Sequence, residues 1–139
     1  MFSSKQLEGI LSLKKYLPML LKPDADETCC EWTSAEKKED GALHLPFVKY
    51  ASWVTDIVHV AYEHDIVMPD YMSVLEANGI ESSGDIKDYS ALSSDLALAV
   101  LTRVIRGERF CEGTIQSAIK DDCLEKVICP HIRYLRFYY

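Results

Sequence analysis

Apolar residues recur along this chain at helical spacing, with no strand-like alternation of useful length. Leu7, Ile10, Leu11, Leu13 and Leu17 predict a first helix over residues 4–17, capped by Ser3 or Ser4. Pro18 disfavours a helical conformation at Leu17 and should end or kink that helix. Tyr16, Met19, Leu20 and Leu21 continue its apolar surface around the bend. A second helix is expected to begin near Pro46, a residue suited to a first helical turn. Phe47, Ala51, Val54, Val58 and Ala61 mark its inner face. Asp70 can cap a short helix that stops at Asn78-Gly79, with Tyr71, Val74 and Leu75 as its anchors. Residues 81–93 read as a polar connection with one short turn around Ile86 and Tyr89.

The strongest pattern runs from Asp95 to Arg106, capped by Ser93 or Ser94 and stopped by Gly107. Ala97, Val100, Leu101, Val104 and Ile105 cover most of its circumference, leaving Asp95, Thr102 and Arg106 as a narrow polar stripe. A helix patterned this way is surrounded by protein, and its polar groups need partners. Thr114 to Lys120 predicts a short helix with Ile115, Ala118 and Ile119 inward. A last helix starts at Asp121 or Asp122, where Asp122-x-x-Glu125 resembles a capping box. Leu124, Val127, Ile128 and Leu135 supply its face, and Pro130 should kink it. Residues 23–41 break the pattern, with seven acids against two lysines, and read as a mobile acidic loop pinned by Trp32. The expected fold class is all-α: a single compact domain, 1–139, of about five to six helices.

A chain of 139 residues fits one such domain and can bury a core unaided. No apolar run approaches the roughly 20 residues of a membrane span. The amphipathic N-terminus lacks a signal peptide's apolar region, so a cytoplasmic protein that avoids membranes is expected. Five cysteines, an odd count with Cys29 and Cys30 adjacent, argue against a secreted disulfide framework. No CxxC spacing occurs, and His59 and His64 stand five residues apart, so no metal site and no cofactor are expected.

The formal charge of −7 argues against nucleic acid as a partner. Its distribution is uneven: residues 1–99 hold 8 Lys and 17 acids, residues 100–139 hold 7 basic and 5 acidic residues. All five arginines lie in the second part, and arginine's planar fork suits carboxylate or phosphate.

Two of those arginines fall in RGERFCEG, residues 106–113. Gly107 and Gly113 bracket the stretch and permit turns closed to other residues. Glu112 precedes a helix start, where negative charge is favourable. The candidate residues are Asp95, Thr102, Arg103, Arg106, Arg109 and Glu112. In one reading they form a structural corner of a non-enzymatic interaction module. Arg106 or Arg109 then pairs with Asp95 or Glu112, and Phe110 fills the core. In the other, Arg103, Arg106, Arg109 and Glu112 line a binding or catalytic pocket for an anionic small molecule or nucleotide. Cys111 would need a base such as His131 to act as a nucleophile. Tyr134, Phe137, Tyr138 and Tyr139 form an aromatic cluster that suggests a homodimer through the C-terminal helix.

The run SDLALAVLTRVIRGERFCEGTI resembles the C-terminal signature of an uncharacterised bacterial family of small cytoplasmic proteins, defined only as a domain of unknown function. In that family an Asp opens a helix, a Leu-Thr pair follows, and the helix ends in Arg-x-x-Arg-Phe-x-Glu-Gly. Asp95, Leu101, Thr102, Arg106, Arg109, Phe110, Glu112 and Gly113 match. Tyr16 to Pro18, the segment around Tyr71 and the helix from Leu124 are also similar. Asp121 and Asp122 depart from the family's glycine stop. The resemblance implies a shared helical fold and brings no activity with it.

Overall fold

The computed structural model describes residues 2–34, 36–37 and 39–136, with the side chains of 36, 37, 44 and 131–136 outside that description. Helix α1 (Ser4–Ser12) starts at a capping box in which the Ser3 hydroxyl accepts from Gln6 N and the Gln6 side chain accepts from Ser3 N. The chain tightens into a 3₁₀ turn at Leu13–Tyr16 and continues as α2 (Leu17–Leu20), with Pro18 in its first turn. Contrary to the expectation from Pro18, Leu17 is helical (φ −56°, ψ −40°). Helix α1 gives way at Leu13, ahead of the proline, which sits in the first turn of α2 where its missing N–H costs nothing. Leu13, Tyr16 and Leu20 stay buried.

Residues 25–28 form α3 (Ala25–Thr28) and lead into strand β1 (Cys30–Trp32). Two further short strands, β2 (Glu36–Lys37) and β3 (Leu43–His44), pair antiparallel, and β1 pairs antiparallel with β4 (Val48–Tyr50). This corrects two expectations. The segment 23–41 is mostly non-helical, as expected, but Ala25, Cys29 and Cys30 belong to the core. The second helix, α4 (Ser52–Glu63), begins six residues beyond Pro46, after Ala51 in an extended conformation. The reason is a real but very short alternation. Cys30 faces Tyr50 and Trp32 faces Val48, while Glu31 sits across from Lys49. Three residues per strand are too few to show a period of two.

Helix α4 crosses α1 closely: a Cβ added at Gly9 would lie 2.5 Å from His64 Cβ. Helix α5 (Tyr71–Ala77) ends at Asn78, with Gly79 at φ 69° as the left-handed stop. Two 3₁₀ turns, Ser83–Asp85 and Tyr89–Ala91, lead to α6 (Ser94–Gly107), capped by the Ser93 hydroxyl accepting from Leu96 N. Nine of its fourteen residues are buried, which makes α6 the central element. It packs against α5, α7 (Thr114–Lys120) and α8 (Cys123–Arg136).

Thr102 is fully buried in that helix. Its hydroxyl donates to Leu98 O at 2.7 Å, lies 3.2 Å from Ile66 O and accepts from Met68 N at 3.0 Å. The hydroxyl therefore fastens the irregular 65–70 segment to the core and leaves Met68 N satisfied.

Between α7 and α8 the glycine expected from the family pattern is replaced by Asp122, which takes φ 61° itself. Aspartate is one of the few residues that tolerate that region. The cap of α8 is Asp121, whose carboxylate accepts from Cys123 N at 3.2 Å, in place of the expected box at Asp122. The fold is mostly helical, with more helices than expected because several span a single turn.

Candidate functional site: the 106–116 corner and the Arg103 cleft

Beyond α6 the backbone makes two consecutive tight turns, with Cys111 N donating to Gly107 O at 2.9 Å and Thr114 N to Cys111 O at 3.3 Å. Gly113 closes them at φ 92°, a conformation strained for any side chain. It also has no room: a Cβ there would sit 2.9 Å from Trp32 Cζ2.

The amides that start α7 need acceptors, since a helix's first N–H groups have none within the helix. Glu108 supplies them. Its Oε2 accepts from Gly113 N at 2.8 Å and its Oε1 from Ile115 N at 2.9 Å. The Tyr50 hydroxyl donates to the same Oε1 and accepts from Gln116 N at 3.2 Å. Burial, and then the Glu108 carboxylate as its acceptor, push the Tyr50 phenol well above its ordinary range, so it remains a donor. Gln116 extends the network, accepting from Trp32 Nε1 at 2.8 Å and donating to Asp26 O at 3.0 Å. Trp32 thus pins the acidic segment to the body, as the sequence suggests.

The expected arginine clamp is a different arrangement. Among the described residues the only ion pair is Lys5–Asp65, at 3.4 Å. Asp95, Arg109 and Glu112 are exposed and Arg106 is half-buried, with no ion pair joining them. Phe110, expected in the core, is 82 % exposed. The cause is the turn itself: its inner side is occupied by Glu108 and the α7 amides, so residues 109–112 form the outer rim. Sequence reading passed over Glu108 because Glu112 stands nearer the helix start.

Beside the corner lies a cleft of about 400 Å³, lined among others by Arg103, Cys111, Glu112, Ser117 and Asp121. Of the sequence candidates, Arg103 and Glu112 both line it, while Asp95, Thr102, Arg106 and Arg109 do not. Cys111 is the exposed thiol of the five free cysteines. His131, its only nearby candidate base in sequence, has a side chain outside the described residues. Burial and hydrogen bonding with Cys30 push the Cys29 thiol up to about 12, which keeps it protonated and inert. Among the described residues no group of three or more His, Cys, Asp or Glu could hold a metal ion, and no helix is long and apolar enough to cross a membrane.

Fold and site together define a small, mostly helical, single-domain protein organised around a carboxylate-capped corner. The chain belongs to a family of unknown function (DUF6508), whose model matches residues 5–131. No curated protein and no solved structure matches it.

Proposed function

We propose that the protein is a cytoplasmic, non-enzymatic interaction module whose partner meets the Arg109–Phe110 corner. The observation that carries this reading is Phe110, 82 % exposed at the tip of a turn fastened by Glu108, Tyr50 and Gln116. Aromatic residues and arginine dominate the energetics of protein interfaces. A rim held from behind loses little conformational freedom on docking, which favours affinity. Enzymatic use of Cys111 has less support, because its exposed thiol has no hydrogen-bonded base among the described residues.

Self-association through the C-terminal helix belongs to the same proposal. It rests on the Tyr134, Phe137, Tyr138 and Tyr139 cluster, whose side chains lie outside the described residues. Sedimentation at tens of micromolar, about the range of a weak interface, should show a dimer. A monomer alone would remove this part.

A photoreactive residue at position 110, introduced in the protein's own cell, tests the corner. It should yield one discrete adduct that weakens with Arg109→Ala, while the same probe at exposed Met72 yields none. Equal labelling from both positions, or none from position 110, would defeat the reading.

A further inference from the structure

The cleft beside the corner carries opposite charges that do not meet. Arg103 is half-buried there, and among the described residues it makes no hydrogen bond and no ion pair. Glu112 and Asp121 line the same cleft, with neither within 4.0 Å of a cationic group among the described residues. Asp121 uses one oxygen on Cys123 N and Glu112 uses none. Cys123 lines the same cleft. Burial raises its thiol first, hydrogen bonding with Tyr89 lowers it, Asp121 raises it, and Arg103 and Lys126 lower it, so charges of both signs act on one point of the cleft. The Ser83 and Ser117 hydroxyls are without hydrogen bonds among the described residues, and Val104 and Ala118 supply an apolar wall.

This combination selects a ligand class. A phosphate or dicarboxylate would satisfy Arg103 but would face two carboxylates, and like charges brought together cost affinity. A simple amine would satisfy the acids and face the guanidinium. A small molecule carrying both a carboxylate and an ammonium matches Arg103 on one side and Glu112 with Asp121 on the other. Arginine's fork suits the carboxylate, and the free hydroxyls can take the remaining hydrogen bonds. The volume fits, since small-molecule sites run from about 300 Å³ upward. We propose that the Arg103 cleft binds a free α-amino acid, its carboxylate on Arg103 and its ammonium between Glu112 and Asp121. This site uses other side chains than Arg109 and Phe110 and stands or falls apart from the interaction surface.

The test is a thermal-shift titration of the full chain with each standard L-amino acid, since a ligand bound only by the folded state raises the melting temperature. The N-acetyl and carboxamide derivatives of the best binder follow, each lacking one of the two charges. Protection of Cys111 from iodoacetamide, read by peptide mass spectrometry, places binding in this cleft. At least one amino acid should bind and protect Cys111, and each derivative should bind about tenfold more weakly or less. Arg103→Gln should remove the carboxylate preference, and Asp121→Asn should weaken binding of the parent amino acid. Should Arg103→Gln not fold, Arg103→Lys, which keeps the charge and loses the fork, should weaken binding in the same direction. No shift with any amino acid at about 10 mM overturns the proposal. So does an N-acetyl derivative that binds as tightly as its parent, which would make the cleft a simple anion site.

Discussion

Replacing Glu108 by alanine should be among the most damaging polar substitutions in this protein. It removes at once the acceptors of Gly113 N, Ile115 N and the Tyr50 hydroxyl. A hydrogen bond to a charged group contributes about 1.5–3 kcal/mol, and an unsatisfied donor adds to the loss. Glu108 is only half-buried, so water can replace part of what it gives. Loss of a helix cap in that situation costs about 0.5–2 kcal/mol. Joining the cap to the tyrosine bond gives an expected total of about 2–5 kcal/mol. Glu108→Gln should lose at least half as much, because its amide NH₂ must face one of the three donors. Arg109→Ala and Glu112→Ala, exposed and without ion pairs among the described residues, should stay within about 0.5 kcal/mol of wild type. Urea denaturation measures all four, read as midpoint shifts at constant slope. Tyr50→Phe combined with Glu108→Ala should cost less than the sum of the two single changes, since both remove the same bond. The reasoning fails if Arg109→Ala is as costly as Glu108→Ala, or if the Tyr50 and Glu108 changes simply add.

Three further outcomes are expected. Thr102→Val keeps the shape of a fully buried residue but deprives Met68 N of its acceptor, costing about 1–3 kcal/mol; hydrogen exchange at Met68 should quicken, and an unchanged rate would contradict the assignment. Stability should decline in alkali, because Cys29 moves from 9.0 to about 12 and Tyr50 is also raised, so the folded state holds these protons more tightly than the unfolded chain. Their contribution is complete below pH 9.0 and is lost as the pH climbs towards 12, with Tyr50→Phe flattening the decline; stability that rises over that window would refute the sign. Deleting residues 23–41 behind a Gly-Ser linker should give an unfolded or insoluble product, because Ala25, Cys29 and Cys30 leave the core and Gln116 loses Trp32 and Asp26; a cooperatively melting deletion variant would contradict their place in the core.

What the sequence made legible, and what it hid, divides by the range of the interactions. Helix α6 is readable because burial on nearly all sides writes itself into local composition, and its Ser93 cap and Gly107 end are local signals too. Helix α7 is likewise marked by the inward trio Ile115, Ala118 and Ile119. The corner between them is not, because its partners are remote. Tyr50 lies 58 residues from Glu108 and Trp32 lies 84 from Gln116, and nothing in RGERFCEG says which of its two acids turns back towards them. The residue types pointed to a fastened turn, but the roles went to Glu108, Gly113 and Tyr50 instead of to Arg109, Phe110 and Glu112. That division has a consequence for function. Removing the fastening carboxylate should unfold the corner, whereas the exposed rim bears no structural load among the described residues. Folding therefore does not account for an arginine and a phenylalanine held out to solvent at the end of the central helix, which supports the proposed contact with another molecule. Stability and recognition at this corner should then separate cleanly, with Glu108→Ala losing both and Phe110→Ser losing only partner binding while melting as wild type does.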